Sequence, residues 1–305
     1  MPHCSVTCPK RHIICNNRYR HIDCAWCYRN QEEVGEAIQE SIAESVVTRE
    51  QLWVTSKLWN TAHAKDQVEP HCREILSQLN LDYLDLFLIH WPVVAEFEGE
   101  ILTPSYKETW LAMENLVRIG LVKSIGVSNM SAKKIREMKE YATIFPVVNQ
   151  VELHPFLRQD ELLAACSEMG VHLTAYSPLG SPDSAEMIKH EGASVMAHPT
   201  VTAIAEEVSK EPAQVLIRWA VQRGTSVIPK STQVITCCRQ PWYHKFTTNH
   251  YPISLFLHLH VSMSLQASRL ASNFDVFSWE LSPEQFARLS SIEPQVSCLF
   301  AWTQR

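Results

Sequence analysis

Four polar residues, set in three short apolar stretches, have the side-chain types that carbonyl chemistry needs. Asp23 and Tyr28 lie in the phrase YRHIDCAWCY, Lys57 in WVTSKLWN and His90 in FLIHWP. A tyrosine hydroxyl, with a pKa of about 10, is a poor acid at neutral pH unless a nearby ammonium stabilises the phenolate. Lys57 is the candidate ammonium, Asp23 its counter-ion, and His90 a donor that orients a carbonyl oxygen. The set predicts general acid catalysis on a carbonyl compound without a metal.

The elements that must position these residues are strands of a parallel sheet. Apolar strands alternate with amphipathic helical stretches from residue 19 to residue 230, which is typical of a parallel sheet covered on both faces. The predicted strands are 22–25, 52–58, 84–91, 122–129, 146–152, 171–177 and 225–230. The pattern indicates an α/β fold, a (β/α)₈ TIM barrel whose first strand is missing. Active sites of such barrels lie at the carboxyl ends of the strands, where all four candidates stand.

The composition is that of an ordinary globular protein. Apolar residues make up 46% of the chain and charged residues 20%, while the net charge of -6 gives no reason to expect nucleic acid or an anionic membrane as partner. No stretch reaches the roughly 20 apolar residues that span a bilayer. Ten scattered cysteines without a clear secretory signal favour reduced thiols. We therefore expect a cytoplasmic protein, and a monomer.

Two segments do not fit the barrel pattern and define the expected domain organisation. Residues 1–18 form an atypical N-terminal segment, residues 19–297 a single barrel, and residues 298–305 a short tail. The barrel is interrupted by residues 234–266, a stretch of 33 residues without Asp or Glu. A retained intron translated in frame would explain that segment, since a valine codon begins with GT and a glutamine codon can end with AG. The alternative is a genuine surface loop.

The order of the motifs supplies a more specific interpretation. The phrases TSKLW, IHWP, GVSN, NQVE, AYSPLGS and IPKS follow one another, and the chain resembles the aldo-keto reductases over about 19–233 and 267–297. The amino-acid sequences of two of the motifs are most similar to those of plant members, which use NADPH. The resemblance implies that Tyr28 is the proton donor, that Lys57 and Asp23 tune it, and that His90 positions the substrate.

The resemblance also implies a cofactor site for NADPH. The implied cofactor-binding residues are Ser128, Asn129, Gln150, Tyr176, Ser177, Leu179, Ser181, Lys230, Ser231, Arg269 and Asn273. Lys230 and Arg269 would clamp the 2′-phosphate by charge-assisted bonds, which favours NADPH over NADH. No GxGxxG phrase is present, so a Rossmann domain is not expected.

Other interpretations compete with these assignments. Trp59 and Trp91 either line an apolar pocket for the small carbonyl substrate or cap the barrel rim, and we favour the pocket. Cys24 and Cys27 form a C-x-x-C pair that could serve redox or zinc chemistry, but no second pair follows at ligand spacing. The whole chain could also be a non-catalytic or misfolded splice variant, or a cofactor- or partner-binding scaffold, because the first strand is missing and the phosphate site is split.

Overall fold

Seven parallel strands form one sheet in which each strand pairs with the next along the chain. The computed structural model describes residues 19–93, 105–180, 194–229, 272–293 and 295. The strands are β1 (His21–Asp23), β2 (Trp53–Leu58), β3 (Leu84–Ile89), β4 (Val122–Ser128), β5 (Val148–Glu152), β6 (His172–Tyr176) and β7 (Ser226–Ile228). Every predicted strand is confirmed, to within about two residues at either end.

Helices follow most of the strands, as the alternating pattern requires. They are α1 (Gln31–Ala43), α2 (Val68–Leu79), α3 (Tyr106–Arg118), α4 (Ala132–Met138), α5 (Asp160–Glu168), α6 (Pro199–Glu207), α7 (Pro212–Gln222) and α8 (Pro283–Ser290). The start of α3 is fixed by a capping box, in which Ser105 accepts from the backbone of Glu108 and the Glu108 carboxylate accepts from the backbone of Ser105.

The core lies on both faces of the sheet. All six residues of β3 are buried, which is what a strand covered by helices on one face and enclosed by the barrel on the other requires. On the helix side, Trp110 and Met113 of α3 are fully buried in the same apolar cluster as Phe87 of β3. The sheet is therefore wound into a nearly closed (β/α) barrel.

The pairing order also shows where closure is incomplete. Within the described part of the chain, β1 and β7 stand at the two ends of the order and pair only with β2 and β6. The atypical segments 1–18, 234–266 and 298–305 lie outside the described residues. Among the helices that the structure describes, none has the length and apolar character needed to cross a membrane.

Candidate active site

A buried ion pair joins the ends of β1 and β2. Asp23 is opposite Thr55 in the strand register, and Lys57 lies two residues further along, so the side chains of Thr55 and Lys57 point to the same face. The Lys57 ammonium is fully buried; it pairs with Asp23 and donates to the backbone oxygen of Cys24 at 2.9 Å. Burial, the largest single cause, would lower the pKa of Lys57, but the charge and hydrogen bond of Asp23 together with Tyr28 and Cys27 outweigh it, and the pKa is raised. Lys57 is therefore held in its charged form.

Tyr28 ends a short 3₁₀ helix, Trp26–Tyr28, that follows β1. The Lys57 ammonium lies 5.3 Å from the centre of its ring, and 36% of the residue remains exposed. Burial raises the pKa of Tyr28 to about 12, and the nearby Lys57 opposes that rise only in part. Lys57 thus lowers this pKa, as expected of a nearby ammonium, but desolvation of the phenolate is the larger effect in the free chain, and the net shift is upward.

His90 follows β3 directly and stands between aromatic rings. Its ring is perpendicular to that of Tyr28 at 6.4 Å, meets Trp59 edge to face at 5.3 Å and stacks on Trp91 at 6.1 Å. Burial, with the Lys57 charge adding to it, lowers the pKa of His90 well below its ordinary value, so the imidazole is neutral at neutral pH. The predicted catalytic residues and both predicted pocket tryptophans are therefore brought together.

Cys27 also lies in this site, although the sequence did not predict it as a residue of the catalytic set. Its sulfur lies 3.9 Å from Nδ1 of His90. The C-x-x-C phrase drew attention to Cys27 only as a redox or metal candidate, yet it immediately precedes Tyr28. Cys24 is buried and Cys27 half-buried, and both are free thiols.

A hydrogen-bonded amide network adjoins the ion pair at the ends of β4, β5 and β6. Gln150 donates from Nε2 to Asp23 at 2.8 Å, and the Ser128 hydroxyl donates to the backbone oxygen of Gln150 at 2.7 Å. The Tyr176 hydroxyl donates to Oδ1 of Asn129 at 2.8 Å, and Nδ2 of Asn129 donates to the Ser128 hydroxyl at 3.1 Å. Four of the residues expected to bind the cofactor thus form one cluster beside Asp23.

The backbone of this cluster has unusual turns. Asn129 adopts φ 59° and Ser177 φ 50°, the left-handed region that ordinary residues avoid. Asn129 also donates from Nδ2 to the backbone oxygen of His90 at 3.0 Å. Such strained positions are typical of functional sites, since the surrounding structure must compensate for them.

Only some of the remaining predicted cofactor residues lie in the described part of the chain. Leu179 is half-buried against the core and Asn273 is buried. The segment that carries Asn273 is tied to α7, because Gln214 donates to the backbone oxygen of Ser272 at 3.1 Å. The four other predicted residues lie outside the described part of the chain: Ser181, Lys230, Ser231 and Arg269.

Three side chains around Trp59 were also not predicted to belong to the site. Trp26 stacks on Trp59 at 6.3 Å, and both His71 and Glu74 of α2 reach this pair. Nothing in the linear pattern of α2 distinguishes these two residues from an ordinary helix face, and only the folded chain brings them next to Trp26.

A nearly closed parallel barrel with Asp, Tyr, Lys and His at its strand ends, beside an amide network, defines a class of barrel oxidoreductases that act on carbonyl compounds. The family described as "Aldo/keto reductase family" matches residues 12–237.

Individual relatives agree with that match. "Aldo-keto reductase family 1 member A1" of Rattus norvegicus is 41% identical over 286 residues, covering 90% of this chain and 78% of the relative. The protein of the same name from Gallus gallus is 48% identical over 227 residues, covering 70% of this chain and 68% of the relative. A crystal structure of a Bombyx mori aldo-keto reductase in complex with NADP has a TM-score of 0.76 at 36% identity, covering 92% of this chain and 80% of that one.

The chain belongs to the aldo/keto reductase family. It is accordingly an oxidoreductase of the type that acts on aldehydes or ketones. The relatives named above come from vertebrates and an insect, and the narrower likeness to plant members stays a prediction.

Proposed function

We propose that this chain reduces an aldehyde or ketone to an alcohol with NADPH, using Tyr28 as proton donor. The observation that carries the proposal is the position of Tyr28 between a buried ammonium and a neutral imidazole. Lys57 lies 5.3 Å from the Tyr28 ring, and the His90 ring stands perpendicular to it at 6.4 Å. A carbonyl oxygen placed among these groups meets an acid, a hydrogen-bond donor and a stabilising positive charge.

The proton transfer follows from the charges of the site. Tyr28, with its pKa raised to about 12, carries its proton at neutral pH, as a proton donor must. When the proton passes to the carbonyl oxygen, the negative charge moves to the phenolate, close to the Lys57 ammonium. Asp23 keeps Lys57 charged in its buried position. The ammonium therefore stabilises the product side of the proton transfer, which lowers the barrier.

His90 orients the substrate. Its Nδ1 faces the Cys27 thiol, so we assign Nε2 as the nitrogen that meets the carbonyl oxygen. A neutral imidazole with a proton on Nε2 donates one hydrogen bond without adding a second positive charge next to Lys57. Trp59 and Trp91, which contact His90 from two sides, would form apolar walls for the rest of the substrate.

The donor set at the ends of β4, β5 and β6 fits the nicotinamide of NADPH. Amide and hydroxyl groups of Ser128, Asn129 and Gln150 can exchange hydrogen bonds with a carboxamide, and the Tyr176 ring offers a face for stacking. When bound, NADPH supplies the hydride for the carbonyl carbon. The silkworm relative was solved with NADP, which supports the choice of cofactor.

We propose the remaining cofactor contacts from the family resemblance. Ser177, Leu179 and Ser181 would line the pyrophosphate and Asn273 the adenine. Lys230, Ser231 and Arg269 would hold the 2′-phosphate, where a positive clamp selects NADPH over NADH.

The test compares Tyr28→Phe with Tyr83→Phe. Tyr83 lies just before β3, at the opposite end of the barrel, so the same chemical change there leaves the site untouched. We expect Tyr28→Phe to lower kcat by about 10²–10⁴-fold with NADPH affinity unchanged, while Tyr83→Phe keeps full activity. NADPH consumption with an aromatic aldehyde and NADPH-dependent quenching of tryptophan fluorescence give the two readouts. Equal kcat for both variants would exclude Tyr28 as the acid.

A second candidate is a non-catalytic product that binds cofactor or a partner. It is favoured by the pairing order, in which β1 and β7 form two separate ends within the described residues. Unpaired edges expose backbone groups and reduce stability. NADPH binding without turnover on any carbonyl compound would support the scaffold, and absence of binding by a soluble chain would support the misfolded product.

We further propose that residues 234–266 interrupt an otherwise single barrel. Genomic sequence that lacks the GT and AG dinucleotides at the two boundaries would exclude a retained intron. A variant lacking Val234–Gln266 that binds NADPH when the full chain does not would identify the segment as disabling.

We propose a cytoplasmic monomer. Support comes from Cys24, Cys72 and Cys166, which are buried free thiols and so suit a reducing compartment. Microscopy of a fluorescent fusion and light scattering after gel filtration test the two statements.

A further inference from the structure

A cluster of three residues holds Trp59 from the side of α2. The indole of Trp26 stacks on that of Trp59 with ring centres 6.3 Å apart and planes inclined by 27°. The backbone N–H of Trp59 donates to Nε2 of His71 at 3.3 Å. Glu74 accepts from Nε1 of Trp26 at 2.8 Å, and its other oxygen lies 3.6 Å from Nδ1 of His71. We call Trp26, His71 and Glu74 the Glu74 cluster.

The hydrogen bonds of the Glu74 cluster are mutually consistent. Because Nε2 of His71 accepts from Trp59, the single proton of a neutral imidazole lies on Nδ1, which faces the Glu74 carboxylate. Burial lowers the pKa of His71 although Glu74 opposes the shift, so the neutral form is the one present at neutral pH. One carboxylate thereby faces the N–H groups of Trp26 and His71, both of which contact Trp59, and it also accepts from Nε2 of Gln78 at 3.2 Å.

The outer face of the cluster is also restrained. The Arg29 guanidinium lies 3.4 Å from the centre of the Trp26 ring, a cation–π contact. Trp26 is thus held between Arg29 and Trp59, with Glu74 fixing its in-plane rotation. Such a ring has little freedom to turn, and the same is then true of the indole that it covers.

Trp59 carries this restraint into the site. Its indole meets the His90 ring at 5.3 Å with an angle of 74°. We propose that the Glu74 cluster positions the Trp59 indole beside His90 and thereby makes the substrate pocket selective for planar aromatic carbonyl compounds over small aliphatic ones. This inference rests on the proposed function, in which Trp59 is a pocket wall.

The selectivity follows from what a fixed ring can do. A held indole offers a flat face against which an aromatic substrate stacks, and aromatic pairs gain beyond their buried area only in defined orientations. A short aliphatic aldehyde is too small to use that face. Releasing the indole therefore penalises the aromatic substrate and leaves the small one nearly unaffected.

The residues of the Glu74 cluster are positioning residues, since they act on the substrate only through Trp59. Glu74→Leu removes the carboxylate, while Glu74→Gln keeps an oxygen that accepts from Trp26. Glu69→Leu is the matched control, because Glu69 lies on the same helix and, among the described residues, its carboxylate pairs with the exposed Arg73 alone. Trp26→Leu removes the stacked ring itself.

Two measurements on the full chain test the proposal. The first is kcat/KM with NADPH for 4-nitrobenzaldehyde and for propanal. The second is the fluorine NMR signal of Trp59 in protein labelled with 5-fluorotryptophan, assigned with Trp59→Phe; it needs no catalytic activity.

We expect Glu74→Leu and Trp26→Leu to lower the aromatic-to-aliphatic ratio of kcat/KM by about three- to tenfold, mainly through KM for the aromatic aldehyde. The Trp59 signal shifts or broadens in both, Glu74→Gln recovers much of the effect, and Glu69→Leu has none. An unchanged Trp59 signal in Glu74→Leu overturns the proposal, as does a shifted signal with an unchanged ratio. If the wild-type chain shows no turnover, the proposed function fails while the signal alone still decides whether the Glu74 cluster holds Trp59.

Discussion

Replacing one member of the Asp23–Lys57 pair tests how much unfolding free energy is lost when a buried charge has no counter-ion. In Asp23→Asn the Lys57 ammonium, fully buried, loses the negative charge of Asp23 and is left with two neutral acceptors, the backbone oxygen of Cys24 and the asparagine amide oxygen. Removing one partner of a buried pair leaves an uncompensated charge, at a cost of about 3–5 kcal/mol. That loss is a large part of the roughly 5–15 kcal/mol by which a typical domain is stable.

Lys57→Met is expected to cost less. The Asp23 side chain is 8% exposed and still accepts from Gln150 at 2.8 Å, so its carboxylate keeps some solvation and one strong donor. We expect a loss of about 1–3 kcal/mol for this variant. The double variant has neither charge, so its loss is smaller than the sum of the single losses by about 1–3 kcal/mol.

The assay is urea denaturation followed by circular dichroism at several pH values. The deficit of Asp23→Asn shrinks as pH rises, because an ammonium without its counter-ion has a lowered pKa and becomes neutral in the folded state at a pH where the unfolded state is still protonated. Additive losses, or a loss below about 1 kcal/mol in Asp23→Asn, would refute the view that Lys57 depends on Asp23.

Three further predictions concern the frame of the barrel. Burial lowers the pKa of His63 to about 4. Between pH 7 and pH 5 the unfolded state therefore binds a proton that the folded state does not, and the wild type loses stability. His63→Gln should lose about 2 kcal/mol less than the wild type over that range, as measured by denaturation at both pH values. Gly35→Ala places a Cβ 2.5 Å from the backbone oxygen of Leu79, so we expect a lowered Tm although alanine favours helices. Asn149 is fully buried and bonds both the N–H and the carbonyl of Met130, so Asn149→Ala costs about 2–4 kcal/mol of unfolding free energy, and a loss below about 1 kcal/mol would contradict this.

The strands, and the meeting of the four candidate residues at one end of the sheet, were predictable because their signals are local. An apolar stretch such as 84–91 indicates a buried strand by itself, and strand ends of a parallel barrel share one edge, so Lys57 and His90 could be expected to meet without knowing any contact. A lysine inside an apolar strand has few structural explanations, and its pairing with Asp23 followed from that.

The rest of the site depends on distances that the sequence does not encode locally. Glu74 reaches Trp26 across 48 positions of the chain, and its helix shows no pattern that distinguishes it. The lowering effect of Lys57 on the pKa of Tyr28 could be predicted because the charge is visible in the sequence, whereas the larger rise from desolvation could not, because packing sets it. The contact between Cys27 and His90 likewise depends on a 3₁₀ turn whose direction only the fold defines.

The amide network has a consequence for how affinity is distributed along the cofactor. Asn129 and Tyr176, like Gln150 and Asp23, are hydrogen-bonded to each other in the free chain. The Tyr176 hydroxyl hydrogen and the two N–H groups of Asn129 already have partners, so a bond that they donate to a carboxamide replaces an existing one and contributes at most about 0.5–1.5 kcal/mol. Under the proposed cofactor contacts, we expect the nicotinamide end to act as a template that fixes which ring face is presented, and the tightness of binding to depend on the far, phosphorylated end. Nicotinamide mononucleotide has the nicotinamide end but lacks the far, phosphorylated end. We expect it to bind far more weakly than NADPH, yet in the same orientation.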